Sequence, residues 1–383
     1  MIEKNIFLVF LNYHLIKNNK GEFNMKTENF KVAAKAAFLF IFIFSFGLKE
    51  INAETIKWTM GTSWPSGMIV YETAEHFAKK VKEMSQGRLD ISVKPAGAVV
   101  GPLDVLDAAS KGSIDAAHSC ANYWPGKNIS SQFFGSVPML FEPLMQLVWV
   151  YEGGGLELWN KMYTEKMKLN VITLPLGMTH GEILAWSNKP LKGIDDFKGL
   201  KYRTLGWWGE ILKANGTSVT MLPGGEVFSA LERGVIDAAE FNTPYADYQL
   251  GFFEIAKYYV GPAMHQPSTM LELIINKDKW NALPNDLKVI VEEAAKSTTI
   301  WAWTYEINKS MKALEEYENK GNIRIIVDEK SQREFREVAW KHLDKIAETD
   351  EFFKEVWDSA RTFYLRFVDY EDFMIPVRPE NKK

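Results

Sequence analysis

A short motif that occurs twice constrains this chain more than anything else in it. Phe228-Ser-Ala-Leu-Glu-Arg-Gly-Val-Ile-Asp-Ala-Ala-Glu-Phe-Asn-Thr243 reads as a helical turn closed by Gly234, an apolar strand at Val235-Ile236, and a polar exit. Glycine just past a helix end supplies the positive φ that stops the helix. Upstream, Leu106-Asp-Ala-Ala-Ser-Lys-Gly-Ser-Ile-Asp-Ala-Ala-His118 repeats it in register, with Gly112, Ile114, Asp115, Ala116 and Ala117 matching Gly234, Ile236, Asp237, Ala238 and Ala239. Chance recurrence of helix–Gly–strand punctuation is the bland explanation. Five identities in six positions favour two similar lobes, each delivering a strand end to a common cleft.

The length fits that reading, since 383 residues exceed the usual size of one domain. A net charge of −4 lacks the basic footprint of a nucleic-acid-binding protein. The single Cys120 excludes an intramolecular disulfide, a CxxC redox pair and a cysteine-rich zinc site. The chain has 13 Trp and 14 Tyr, and Trp64, Trp124, Trp186, Trp207 and Trp208 stand beside Gly, Pro or polar residues. Most tryptophans are core; several in loop-like settings point to a partly aromatic pocket.

Lys31–Phe46 is a basic flank followed by an apolar run too short to span a membrane comfortably, and Ile51-Asn-Ala53 resembles a cleavage site. Residues 25–53 are therefore expected to be a secretory signal peptide. Met25 is the expected true start, with 1–24 a translated leader. No Cys follows the apolar run, so a free periplasmic protein is expected rather than a lipid-anchored one. In the remaining chain, alternation predicts strands at Thr55–Met60, Leu89–Val93, Asn170–Leu176 and Leu200–Thr204. Helical spacing predicts helices at Ile69–Met84, Met145–Tyr163, Trp280–Tyr317 and within Ser331–Phe367, followed by a loose tail at Pro376–Lys383. This order is that of an α/β protein.

Gly112-Ser-Ile-Asp-Ala, Tyr123-Trp-Pro-Gly-Lys127, Asp196-Phe-Lys-Gly-Leu-Lys-Tyr-Arg203, Ala230–Glu240 and Tyr258-Tyr-Val-Gly-Pro262 together resemble the substrate-binding proteins of tripartite ATP-independent periplasmic (TRAP) transporters, the DctP-type family, in the branch that binds 2-oxo and 2-hydroxy acids. The resemblance covers about Lys57 to Phe367. It implies an α/β, two-lobed periplasmic binding protein of the Venus-flytrap kind, with crossing strands and a long helix spanning both lobes. On that frame, 54–175 plus 268–383 form lobe I with the C-terminal helices, and 176–267 form lobe II. The function implied is a non-enzymatic receptor that closes on a small organic acid and delivers it to the small and large membrane subunits of a sodium-driven permease. A homodimer through the C-terminal helices, as in some relatives, is a further implication.

The resemblance also implies roles for residues. The arginine after the Lys-Gly-Leu motif pairs with the ligand's carboxylate, which falls on Arg203; a guanidinium fork suits a planar carboxylate. The glutamate ending the second repeat and the next backbone oxygen coordinate a metal ion, which falls on Glu240 and the Phe241 carbonyl. The branch usually has Trp where Phe241 stands. A third metal ligand is normally a Gln four residues before a Trp, and counting back from Trp186 gives Glu182 instead. Two carboxylates plus a bound acid suit a hard divalent ion, calcium over sodium; alternatively, Glu182 pairs with a cation of the ligand or a lysine and no metal binds. Tyr123, Trp124, Trp207, Asn242 and His265 complete the expected ligand contacts. His118 and His180 offer a weaker zinc reading with Glu182 and Glu240, and no HExxH helix supports it. Two other functions remain open: a receptor for a sulfonate, sugar acid or ectoine-like zwitterion, and a metal-dependent lyase or hydrolase using Glu182 and Glu240. GxSxG, SxxK and Walker motifs are absent from the sequence.

Overall fold

The computed structural model describes residues 54–376. The expected leader at 1–24, the expected signal peptide at 25–53 and residues 377–383 of the expected tail lie outside them. Eleven strands, β1 (Ile56–Thr62), β2 (Leu89–Lys94), β3 (Ala116–Ser119), β4 (Val171–Thr179), β5 (Ala185–Ser187), β6 (Lys201–Arg203), β7 (Ser218–Thr220), β8 (Ala238–Ala239), β9 (Tyr258–Gly261), β10 (Thr269–Asn276) and β11 (Ile323–Ile326), form two sheets. The helices are α1 (Ile69–Met84), α2 (Val105–Ser110), α3 (Gln132–Gly135), α4 (Pro143–Glu152), α5 (Gly155–Lys161), α6 (Gly206–Ala214), α7 (Gly224–Glu232), α8 (Pro244–Leu250), α9 (Phe252–Ile255), α10 (Lys277–Ala282), α11 (Asn285–Asn319), α12 (Glu329–Ala347) and α13 (Glu351–Met374).

The first sheet runs β2-β1-β3-β10-β4 and the second β11-β9-β5-β8-β6-β7. Read from opposite ends, the five strands of the first match five of the second, and β11 is the extra edge strand of the second. β1 pairs in parallel with β2 and β3, as β6 does with β7 and β8, and the next two pairings are antiparallel in both. The duplicated motif explains the likeness. Gly112 and Gly234 lie at φ +75° and +66°, ending α2 and α7. The residue after each glycine donates to the carbonyl six residues before that residue's successor: Ser113 to Ala108, Val235 to Ala230. Each motif aspartate then clamps the neighbouring parallel strand. Asp115 accepts from the Thr59 N–H at 2.8 Å and donates its own N–H to the Thr59 carbonyl at 3.0 Å. Asp237 does the same with Lys201, at 2.8 and 2.7 Å. The strand therefore starts after the aspartate, at Ala238, and the expected strand at Val235-Ile236 is a turn in which Val235 is exposed.

Two other expectations are corrected. The helix expected over Met145–Tyr163 is α4 and α5, broken at Gly153-Gly154. Gly154 has φ +86°, and a Cβ on Gly153 would meet the Trp149 backbone at 2.9 Å. Secondly, β11 pairs with β9 and α12 packs on the second sheet through Phe335 and Ala339, although both fall in the 268–383 stretch expected in lobe I.

α1 buries Ala74, Phe77, Ala78 and Val81 against the first sheet, in helical spacing, while Ile69 and Val70 at its start join the cluster around Trp64 and Trp186. α11 adds Leu287, Val291 and Ala294 to the same core, and further along it contributes Ala313 and Tyr317 to a cluster with Trp186 and Tyr259 of the second sheet. One 35-residue helix thus packs on both sheets. The links 180–184 and 262–268 carry the chain between β4 and β5 and between β9 and β10. No helix among the described residues is long and apolar enough to cross a membrane.

Candidate ligand site between the two sheets

Arg203 and Ala239 are paired at the carboxyl ends of the parallel strands β6 and β8. Glu240, the next residue, donates its N–H to the Arg203 carbonyl at 3.2 Å. Strand order alone thus brings the Arg203 and Glu240 side chains together where α/β sheets bind ligands. Both are buried, and Arg203 Nη1 contacts the Glu240 Oε1 at 3.0 Å and the Glu240 carbonyl at 2.7 Å. Nε and Nη2 donate to the Leu222 carbonyl at 3.1 and 2.9 Å, and the guanidinium carbon lies 5.5 Å from the centre of the Phe241 ring.

The links between the sheets supply the other wall. Glu182 donates its N–H to the Gln266 carbonyl, and Ile183 to that of Asn242. The Glu182 carboxylate is held at both oxygens, by Thr269 Oγ1 at 2.7 Å and Gln266 Nε2 at 2.8 Å. His265 Nε2 lies 3.9 Å from Glu182 Oε2 and 3.8 Å from Glu240 Oε2, beyond hydrogen-bond length. Glu240 Oε2 and both His265 ring nitrogens have no hydrogen-bond partner among the described residues. Glu182, Glu240 and His265 together form a buried group whose ligand atoms lie within 4.8 Å of one another.

The electrostatics separate the two carboxyls. Burial, then the charge of Glu240, raises the Glu182 carboxyl well above the usual range. Burial opposes charge on Glu240 too, but Arg203 and His265 outweigh it and hold the group below the ordinary value. The two carboxyls are thus pushed in opposite directions, Glu240 towards the charged form and Glu182 away from it. A cation at this position would reverse the penalty on Glu182. The donor set of two carboxylates with an unpartnered oxygen, in a pocket whose fixed positive partner is one arginine, fits a metal ion.

The remaining expected residues divide. Tyr123 joins the cluster of Trp64, Ile183 and Phe241, and its hydroxyl accepts from Trp64 Nε1 at 3.2 Å. Asn242 sits in the same loop, its N–H on Asp247 Oδ1 at 3.1 Å. Asp247 also accepts from Trp186 Nε1 at 2.7 Å, which ties the loop to the second sheet. Trp124 is committed elsewhere: its indole N–H donates to Glu272 at 3.0 Å in the core of the first sheet. The Trp207 ring packs between Phe133 and Phe353 rather than on the carboxylates. His118 is bonded to the Glu272 carbonyl and His180 is exposed, so neither joins the acidic group, and the zinc set does not form.

Sequence reasoning missed Thr269, Gln132 and Glu306. Glu306 is buried on α11 and its carboxylate accepts from Thr243 Oγ1, just past the Glu240 loop. An acidic residue on the apolar face of a long helix was its one available signal. Thr269 and Gln132 carry none, because only tertiary placement brings them to the site.

The comparisons decide the family. Residues 60–350 match the profile of the bacterial extracellular solute-binding proteins, family 7, known as DctP. The chain belongs to this family. It is 33% identical over 314 residues to the monocarboxylate 2-oxoacid-binding periplasmic protein all3028 of Nostoc sp. (strain PCC 7120), covering 82% of this chain and 85% of the relative. Among solved structures, a TRAP periplasmic solute-binding protein from Colwellia psychrerythraea with bound calcium and pyruvate matches with TM-score 0.79 and 29% identity, over 84% of this chain and 97% of that one. One from Pseudoalteromonas atlantica T6c with bound sodium and pyruvate matches with TM-score 0.78 and the same identity and coverage. The DctP chain described here shares with them the mixed α/β architecture of two sheets, as expected from its sequence.

Proposed function

We propose that this protein is the periplasmic receptor of a TRAP transporter that binds a small 2-oxo or 2-hydroxy monocarboxylate together with a metal ion, calcium in preference to sodium. The observation that carries the reading is the buried set Arg203, Glu240, Glu182 and His265 at the ends of β6 and β8. Arg203 directs both Nη1 protons at Glu240, so a bidentate grip on an acid requires the Glu240 carboxylate to yield one of them. A metal ion drawing Glu240 and Glu182 to itself frees that donor, which couples acid and ion. Glu182, Glu240 and the Phe241 carbonyl would hold the ion; when bound it supplies charge neutralisation and a Lewis-acidic anchor for the acid's oxygens. Both relatives bound to pyruvate also hold a cation, which supports the pairing.

Closure is part of the same reading: Arg203 ends β6, Glu240 follows β8 in the second sheet and Tyr123 lies in the turn after β3 of the first, so an acid held among them would bridge both. Delivery to the small and large permease subunits, and export by a cleaved signal peptide at 25–53, complete the reading. A receptor for a zwitterion is the second reading, favoured by the buried second carboxylate, Glu182, which could pair with a ligand's amine. Native mass spectrometry of the exported protein tests these together: an acid and a calcium ion recovered unchanged support the receptor, whereas a zwitterion without metal favours the second. Turnover of the acid would establish an enzyme. The C-terminal half of α13 exposes Leu365, Tyr370, Phe373 and Met374, and a second copy covering that face is the proposed homodimer contact.

A further inference from the structure

Beside the carboxylates lies a second, smaller feature, a crevice bounded by Gln132 and Ser136 of the first lobe, Trp207 and Trp208 at the start of α6, and His265 and Gln266 of the crossing link. His265 and Gln266 line the crevice and also stand against the carboxylates, Gln266 Nε2 bonded to Glu182 at 2.8 Å and His265 Nε2 3.8 Å from Glu240, so the two features adjoin. Its polar lining is incompletely satisfied. Gln132 Oε1 accepts the Trp207 N–H at 2.6 Å, which fixes the amide's orientation and leaves Nε2, a two-proton donor, without a partner. Ser136 Oγ and both nitrogens of His265 are likewise unpartnered, and all three side chains are at most 3% exposed. Buried polar groups are nearly always paired, with protein, water or ligand, and unpaired ones cluster where something binds. The crevice has room for about one water molecule.

We propose that the crevice is a specificity subsite that takes a single uncharged oxygen of the bound acid, a hydroxyl or carbonyl substituent beyond the 2-position. The proposal rests on the acid-binding reading above and narrows it to oxygen-bearing monocarboxylates. The size excludes a second carboxylate, and the lining contains no cation of its own. Gln132 Nε2 donates to that oxygen; Ser136 and His265 donate or accept as its protonation requires. Because Gln132 also holds the Trp207 backbone, the subsite is complete only when the first lobe and α6 are together. Selectivity is then read at closure.

The test is calorimetry of the calcium-supplemented full mature protein with pyruvate, 3-hydroxypyruvate and 2-oxobutyrate, the last two differing by a hydroxyl in place of a methyl. The expected result is 3-hydroxypyruvate bound about tenfold more tightly than 2-oxobutyrate, because the methyl leaves the donors unpaired. That ratio should fall towards one in Ser136→Ala and in Gln132→Leu. Gln132→Leu also loses the Trp207 contact and weakens every acid alike, so the ratio rather than the affinity is the readout. Equal affinities of the pair in the wild type, or a ratio unchanged by both substitutions, would overturn the subsite and mark an ordered water only. Pyruvate binding in that case leaves the receptor reading standing; failure of all three acids to bind overturns both.

Discussion

Replacing Arg203 by alanine should separate the arginine's structural role from its part in binding. Its four hydrogen bonds leave with it, and the buried Glu240 loses the guanidinium hydrogen-bonded to its carboxylate. Breaking a buried pair by removing one partner typically costs about 3–5 kcal/mol. An independent bound comes from protonation: the Glu240 carboxyl has an ordinary value of 4.5, so neutralising it at pH 7 costs about 3.4 kcal/mol, and at pH 5 about 0.7. The sign is therefore opposite in the two proteins. In the wild type the depressed Glu240 contributes stability above its unfolded value, and that contribution is lost as pH falls through the folded one. In Arg203→Ala the group is raised, so its stability is fullest at low pH and is lost as pH rises. Thermal melts should show the variant lowered by on the order of 5–10 °C at pH 7, with the gap narrowing towards pH 5. The double variant Arg203→Ala/Glu240→Gln should recover most of the stability and none of the acid binding. An Arg203→Ala melting temperature equal to wild type at pH 7 would refute the buried-pair argument, and wild-type affinity in the double variant would refute the binding role.

Glu182→Gln should reduce the rise in melting temperature that calcium produces in chelator-treated protein, because the amide oxygen is a weaker ligand than a carboxylate; an undiminished calcium response would remove Glu182 from the ion's ligands. Glu306→Gln should flatten the pH dependence of stability. Burial pushes Glu306 to about 8 from an ordinary 4.5, so the wild type loses this group's contribution as pH rises across that window, and melts of the variant over the same range check it. Asp237→Ala and Asp115→Ala should each lower stability by about 1 kcal/mol through the lost strand clamp, measured by denaturant unfolding, with Asp237→Ala leaving acid selectivity unaltered.

How much of this was legible in the sequence depended on whether a residue's role is local. Gly112, Gly234, Asp115 and Asp237 announce themselves because positive φ and a side-chain clamp demand particular residue types, and they revealed two like sheets. The second motif's strand was expected three residues early because Val235-Ile236 looks more strand-like than the Ala238-Ala239 that the ladder uses. The break between α4 and α5 was legible as the run Gly153-Gly154-Gly155, which the helical spacing on either side overrode, and close packing on Trp149 is what requires Gly153. β11, mostly exposed, carries no alternation to read. In the site, Arg203, Glu182 and Glu240 followed from motif positions, and the structure adds His265 to the carboxylates. Trp124 was misplaced because an indole beside a Pro-Gly turn looks exposed, while its partner Glu272 is far away in sequence.

The central claim, that acid and cation bind together on Arg203, Glu182 and Glu240, is tested most directly by titrating pyruvate into chelator-treated protein, by calorimetry, with and without calcium. The account predicts one acid per chain with calcium and an affinity at least about tenfold weaker without it. Equal affinity in both titrations would contradict the shared site.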